Sequence, residues 1–290
     1  MTEKIGFIGT GSMGSAIASR LVSDYDLYVN DRNRSSTDGL VGMGATFAPA
    51  VEIAGQCRFV FLCLPAPVHV MGLLFGDDGI ADAFEPGTVV IDITTGTPTS
   101  DAEIVAGLAE RGVKFLDSPI GGGVRRAADG TSTLMVGGDA AVFDSALRIL
   151  NTVTPNVFRV GPSGAGHAMK LVNNLLNSCN RFAALECIRL GQAAGMDQDT
   201  IVEVLNSSTG RNYTTEYTFP TLLSGETYKK QGFTLELMVK DVHLANELAD
   251  AYEHATPIGH LVEELTQQAI NRFGPDADQS QLMAEWYPQR

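Results

Sequence analysis

Lys4-Ile5-Gly6-Phe7-Ile8 is a short apolar run that leads directly into Gly9-Thr10-Gly11-Ser12-Met13-Gly14. The chain then continues as Ser15-Ala16-Ile17-Ala18-Ser19-Arg20-Leu21-Val22 with helical periodicity. A strand that ends in G-x-G-x-x-G and reopens as a helix restricts the fold more than any other stretch, because each glycine meets a separate steric demand. Gly9 permits the tight turn, Gly11 lets a pyrophosphate approach the backbone, and Gly14 lets helix pack on strand. Unpaired N–H groups and the positive end of the helix dipole then face the phosphates. Outside this setting the motif is only a glycine-rich turn. Within it, residues Gly9, Thr10, Gly11, Ser12, Met13 and Gly14 are expected to contact a dinucleotide.

The second strand, Leu27 to Asn30, ends in Asp31-Arg32. An acidic residue about 20 positions past the glycines accepts hydrogen bonds from the adenosine ribose and repels a 2′-phosphate, so Asp31 favours NAD. Arg32 keeps NADP open, since an arginine there can stack on adenine or grip that phosphate. Further apolar strands follow at Arg58–Leu64, Thr88–Ile93 and Lys114–Asp117, with a helix at about Thr99 to Arg111. The strands end in small, turn-forming residues, as the carboxyl edge of a parallel sheet does where ligands sit. Leu64, Pro65 and Thr95 are therefore candidate cofactor contacts, each with a purely structural turn as the alternative. Ser118-Pro119-Ile120-Gly121-Gly122-Gly123 comes next, where three glycines can shape backbone N–H groups into an anion site; a flexible loop is the competing reading. A strand at Ser132–Gly138, a helix at Asp139–Leu150 and a last strand at Phe158–Gly161 complete this half.

From Gly164 onward helical periodicity replaces strand patterning. No proline occurs between Pro162 and Pro220, and Gly166 to Gly195 is mostly Ala, Leu, Val, Ile and Met. As one helix that run is roughly 40 Å long. Lys170 and Asn174 are i and i+4 and share a face, among Leu171, Val172, Leu175 and Leu176. A lysine in apolar company is either costly or useful. Further helices are expected at Thr200–Asn206, across Leu244–Ala249, and from Pro257 to about Arg272.

The size, 290 residues, allows two domains, and 44% hydrophobic with 19% charged residues describes a globular chain. A net charge of -14 argues against nucleic acid or an anionic membrane as partner, though not against a small anion in a local pocket. Cys57, Cys63, Cys179 and Cys187 form no C-x-x-C pair, so reduced thiols are expected and no metal site. No run reaches membrane-span length, and the N-terminus has no secretory pattern; the expected location is cytoplasmic.

Taken together, four ordered motifs make the chain resemble the β-hydroxyacid dehydrogenase family: Gly9 to Gly14, Asp117 to Thr131, Gly164 to Asn174, and Lys240-Asp241. The resemblance covers nearly the whole chain. It implies that Lys170 is the catalytic lysine and that Asn174, also catalytic, helps place the substrate. It implies that the Gly121–Gly123 loop binds the substrate carboxylate through Gly122 and Gly123, and that Lys240 closes over the nicotinamide and substrate. Hydride leaves the alcohol carbon while a base takes the hydroxyl proton, and burial beside a positive nicotinamide would lower the pKa of that lysine. The family also implies a homodimer or homotetramer. Two departures stand out. Gly121 replaces a common serine, and Arg126-Ala127, with Arg125 before it, replaces a common Gly-Ala. Arg126 is thus either a contact for a second anionic or bulky polar group of the substrate, or part of a solvated loop edge. His167, one turn before Lys170, either tunes the lysine or contacts the helix terminus.

The expected architecture is α/β: a Rossmann-type domain over 1–163 and an all-helical domain over 164–290, joined by the long helix, with the active site in the cleft. The expected function is NAD(P)-dependent oxidation of a small anionic 3-hydroxyacid, or reduction of the matching semialdehyde. An imine reductase and a non-catalytic cofactor-binding module are the rivals. A decarboxylating sugar-phosphate dehydrogenase would ordinarily be longer.

Overall fold

The first half alternates apolar strands with helical segments, and strands that are apolar at every position must be buried on both faces. The computed structural model describes residues 3–220 and 232–285. It divides into two compact units, Met1–Lys170 and Leu171–Arg290, and the division falls inside the long helix.

In the first unit, β1 (Lys4–Ile8), β2 (Asp26–Asn30), β3 (Thr46–Phe47), β4 (Phe59–Leu62), β5 (Val89–Asp92) and β6 (Lys114–Asp117) pair in parallel in the order β3-β2-β1-β4-β5-β6. β7 (Ile120–Gly121) and β8 (Thr133–Gly137) continue the sheet antiparallel, and β9 (Asn156–Gly161) pairs parallel with β8. Side chains alternate between the two faces. Phe7, Phe59, Phe61 and Ile91 pack with Ile17, Ile149 and Leu150, whereas Ile8, Val60, Leu62 and Val90 pack with Ile53, Val70, Leu74 and Ile104. Helices thus cover both faces, and the strand order reverses between β1 and β4, where such sheets bind ligands beyond their carboxyl ends.

The Asp117–Thr131 stretch is more ordered than a loop. Gly122 adopts φ 114°, which a side chain would resist, and this left-handed turn starts a short helix, α6 (Gly123–Ala128). The first unit also holds α1 (Ser12–Ala18), α5 (Pro98–Ala109) and α7 (Ala140–Val153), and three helices, α2 (Asp38–Gly42), α3 (Ala50–Gln56) and α4 (Pro67–Phe75), add to those expected.

The long helix, α8, spans Ala165–Ala193, 29 residues and about 44 Å. Gly195 ends it: its N–H reaches Gln192 O, the N–H of Met196 reaches Gly191 O, and Gly195 is left-handed at φ 89°. The second unit adds helices Gln198–Asn206, Leu235–Ala251, Pro257–Phe273 and Gln279–Glu285, around a core including Ile188, Met238, Val242 and Leu282. The lysine and aspartate at 240–241 lie within Leu235–Ala251, one continuous helix rather than a segment leading into a second.

Gly166 shows how tightly the long helix begins. A Cβ there would lie 2.4 Å from Met135 O and 2.6 Å from Asp117 O, both backbone atoms. Gly166→Ala is expected to cost about 3 kcal/mol, the upper range for overpacking, read as a lower denaturant midpoint at unchanged slope. An unchanged midpoint would mean that the helix start is free to shift.

Candidate functional site

The glycine turn after β1 is built around backbone contacts. Gly9 adopts φ 96°, and a Cβ there would sit 2.2 Å from Cys63 O; a Cβ on Gly14 would sit 1.9 Å from Gly9 O. Gly11 meets nothing within 4 Å and precedes the helix Ser12–Ala18, which has no side-chain cap. The crowded glycines hold the turn and the open one leaves backbone accessible, the division of labour a pyrophosphate cradle requires. Asp31 steadies the turn: its carboxylate accepts from the N–H of buried Thr10 at 2.7 Å and from the N–H of Asn33 at 2.8 Å. Arg32 is exposed, whereas Arg34 is tied to Asp38 at 2.9 Å and lies over the Phe47 ring.

The ends of β4 and β5 are joined by Thr94, whose hydroxyl accepts from Leu64 N at 3.0 Å and whose N–H donates to Asp92 at 2.9 Å. Pro65 is exposed and Thr95 half-buried beside them, so three of the expected cofactor contacts, Leu64, Pro65 and Thr95, gather at one sheet edge.

Beneath this edge lies a buried ionisable cluster. Asp117, at the end of β6, accepts from Gly164 N at 2.9 Å and His167 N at 3.0 Å, capping the start of α8 from outside the helix. The His167 ring faces both carboxylate oxygens of Asp101 with Nδ1, at 2.8 and 2.9 Å, and the Thr94 carbonyl with Nε2, at 2.6 Å. Burial pulls the His167 pKa down, but hydrogen bonding and charge from Asp101, with Asp92 and Asp117 behind it, carry it up to about 9. Burial raises Asp92 to about 6 and raises Asp117 as well. The ring of His167 is thus engaged with Asp101 and Thr94. Asp101 gave no sequence signal, because its partner lies 66 residues away.

The lysine meets the glycine loop. Lys170 Nζ donates to Ile120 O at 2.8 Å, and exposed Gly122 and Gly123 follow, both with positive φ. Gly121 is buried, and a Cβ there would lie 3.2 Å from Met135 Cε. Arg126 turns back on its own segment, donating from Nε and Nη2 to Thr131 O at 3.1 and 2.7 Å, and Arg125 lies 3.8 Å from Asp129. The lysine's apolar company is mixed: Leu171 is buried, whereas Val172 and Leu176 are exposed.

Within the second unit, Asn174 donates to Asp241 Oδ2 at 2.7 Å. Lys240 Nζ lies 3.2 Å from Asp241 Oδ1, close enough for charge attraction although that oxygen has no aligned hydrogen bond. One nearly buried carboxylate therefore organises both Asn174 and Lys240.

Residues 4–161 match the family model for the NAD-binding domain of 6-phosphogluconate dehydrogenase, and residues 164–286 match that for the NAD-binding domain of NADP-dependent 3-hydroxyisobutyrate dehydrogenase. An NAD-dependent L-serine dehydrogenase of Pseudomonas aeruginosa is 38% identical over 283 residues, 95% of either chain. A 2-(hydroxymethyl)glutarate dehydrogenase of Eubacterium barkeri is 33% identical, over 84% of this chain and 81% of its own. The solved Mycobacterium tuberculosis 3-hydroxyisobutyrate dehydrogenase with L-serine superposes at TM-score 0.88 and 26% identity, covering 98% of this chain and 99% of that one. An imine reductase of Myxococcus stipitatus, at 19% identity and TM-score 0.65 over 98% of this chain and 99% of that one, shares the fold alone. No helix among the described residues is long and apolar enough to cross a membrane.

The buried cluster predicts how stability depends on pH. His167 holds its proton more tightly folded than unfolded, so its contribution is full below pH 6.5 and is lost as pH rises through about 9. Denaturant titrations should show the unfolding free energy falling across that window, with His167→Gln flattening the fall. Parallel curves for the two proteins would disprove the assignment.

Proposed function

This chain belongs to the β-hydroxyacid dehydrogenase family, and we propose that it interconverts a 3-hydroxyacid and the matching semialdehyde with Lys170 as general acid and base. NAD(P) dependence and action on a small hydroxyacid go with the family. When bound, the nicotinamide takes or supplies the hydride. The rest falls to the chain's own residues.

The observation that carries the reading is the contact between Lys170 Nζ and Ile120 O, which brings the lysine to the head of the glycine loop. The backbone N–H groups of Gly122 and Gly123 would hold the substrate carboxylate, and Lys170 Nζ would take the hydroxyl proton in oxidation or return it in reduction. Asn174, fixed by Asp241, would orient the substrate, with Lys240 on the same carboxylate. Arg126, engaged with Thr131 O, favours a substrate with one carboxylate and no second anionic group. L-Serine and 3-hydroxyisobutyrate, named for relatives of this chain, are the first compounds to try. Exposed Val172, Leu176 and Leu190 on α8 support pairing with a second copy of the chain.

The cradle formed by Gly9, Gly11 and Gly14 fits a dinucleotide. Asp31 sets its preference towards NAD, because a 2′-phosphate would meet a carboxylate already placed by Thr10 and Asn33.

Two measurements test this. Nicotinamide absorbance, followed with those two acids, hydroxymethylglutarate, threonate and glycerate, should show turnover that Lys170→Ala lowers by about 10³-fold, within the range for general acid–base catalysis. Full activity in Lys170→Ala, or turnover of imines alone, would defeat the reading. With the best substrate, kcat/KM should favour NAD by roughly tenfold or more, and Asp31→Ala should narrow the gap, since like-charge repulsion sets it. A wild-type preference for NADP would shift the assignment to Arg32.

A further inference from the structure

The acid–base reading assigns a proton to Lys170 and leaves unexplained why a histidine, 1% exposed, lies one turn before it among three buried aspartates. The geometry points to the state of that ring. Nε2 lies 2.6 Å from the Thr94 carbonyl, which can only accept, so Nε2 carries hydrogen. Nδ1 lies 2.8 and 2.9 Å from the two oxygens of Asp101, again acceptors. With a carboxylate on one side and a carbonyl on the other, the arrangement suits an imidazolium that donates from both nitrogens. Asp101 faces it from α5 (Pro98–Ala109), Asp92 from β5 and Asp117 from β6, and together they outweigh burial in keeping the proton on the ring.

His167 is also held by its backbone, whose N–H donates to Asp117 at 3.0 Å. The residue thus joins β6, α5 and the loop after β5 to the first turn of α8. Gly96 completes the fit, because a Cβ there would lie 2.7 Å from His167 Cε1. The loop is shaped to lie against the ring. It carries Thr94 and Thr95 at the carboxyl edge of the sheet, and the helix carries Lys170 three residues past the ring, on the neighbouring face one turn on.

We propose that His167 is a positioning residue: its doubly protonated ring clamps Asp101 and the Thr94 carbonyl to the start of α8 and so sets Lys170 relative to the cofactor-side loop. The inference rests on Lys170 being the acid–base group. A neutral ring would satisfy one partner and release the other, freeing either the loop or the helix. Ångström-scale displacement of a catalytic group costs roughly 10²-fold in rate.

Nitrogen-15 labelling of the five histidines in the full chain, with His167→Gln to identify the signal, reads the ring directly. Both ring nitrogens should be protonated at about pH 7.5, where an ordinary histidine is mostly neutral. Asp101→Leu keeps the size and removes both the charge and the hydrogen-bonding atoms, and it should turn the His167 ring neutral. In that variant kcat should fall roughly 10²-fold while substrate KM moves less than about threefold. His167→Gln should behave alike, and the double variant should be no worse than the weaker single one, as for groups acting as one unit.

A neutral ring in the wild type overturns the proposal. So does full kcat in folded Asp101→Leu, or losses that multiply in the double variant. Lys170→Ala, measured alongside, separates the two readings. Full activity there removes the lysine's role, whereas the protonation of His167 and its coupling to Asp101 are read from their own signals.

Discussion

A helix of 29 residues begins with N–H groups that have no partner inside the helix, and here that end is buried against the sheet. The Asp117 carboxylate answers this need by accepting from Gly164 N and His167 N. Everything near the proposed chemistry depends on that pairing. It joins the end of β6 to the start of α8, and α8 carries Lys170 past the glycine loop that follows β6. A carboxylate at a helix N-terminus is also favourable for the helix dipole, which offsets part of the cost of burying it. The cost remains visible, since burial still raises the pKa of Asp117.

The same logic of fixed backbone and restricted side chains runs along the carboxyl edge of the sheet. Gly9 and Gly14 are glycines because backbone oxygens occupy the places where their Cβ atoms would be, while Gly11 faces open space. Gly96 and Gly166 give way to a histidine ring and to two backbone carbonyls in turn. Small residues here do not mark flexibility. They mark close approach, and close approach lets Thr94, Asp117 and His167 meet within hydrogen-bond distance.

Much of this was legible from the chain because the signals are local. The strand–glycine–helix order, the apolar strands and the long helix ending near Gly195 all follow from spacing and composition, and the structure bears them out. The short helix α6 was hidden because three glycines read as loop, although only Gly122 needs the left-handed turn and the Val-Arg-Arg-Ala run after it suits a helix. Arg126 reads from sequence either as a substrate contact or as part of a solvated loop edge. Its guanidinium finds Thr131 O five residues on, a return of the chain that spacing alone does not reveal. Asp101 and Asp92 were invisible for a stronger reason. Their importance lies in partners brought from other strands and helices by the sheet order, and no local pattern encodes it.

The buried cluster raises the question of what such a costly feature supplies. Three carboxylates and an imidazolium taken out of water forfeit hydration that their mutual attraction only partly returns, so well-packed apolar residues could serve stability as well. Apolar contacts, however, are tolerant of small rotations and slides, since many arrangements bury similar area. Hydrogen bonds to Asp101, Thr94 and Asp117 are not. Donors on His167 point in three directions, to a helix, a loop and a strand, and only one phase of α8 satisfies all three. The cluster thus converts an apolar interface, which would hold the helix somewhere on the sheet, into one that holds it in a single place. For a chain whose proposed acid–base group sits on the next turn, that specificity is worth more than the stability it forgoes.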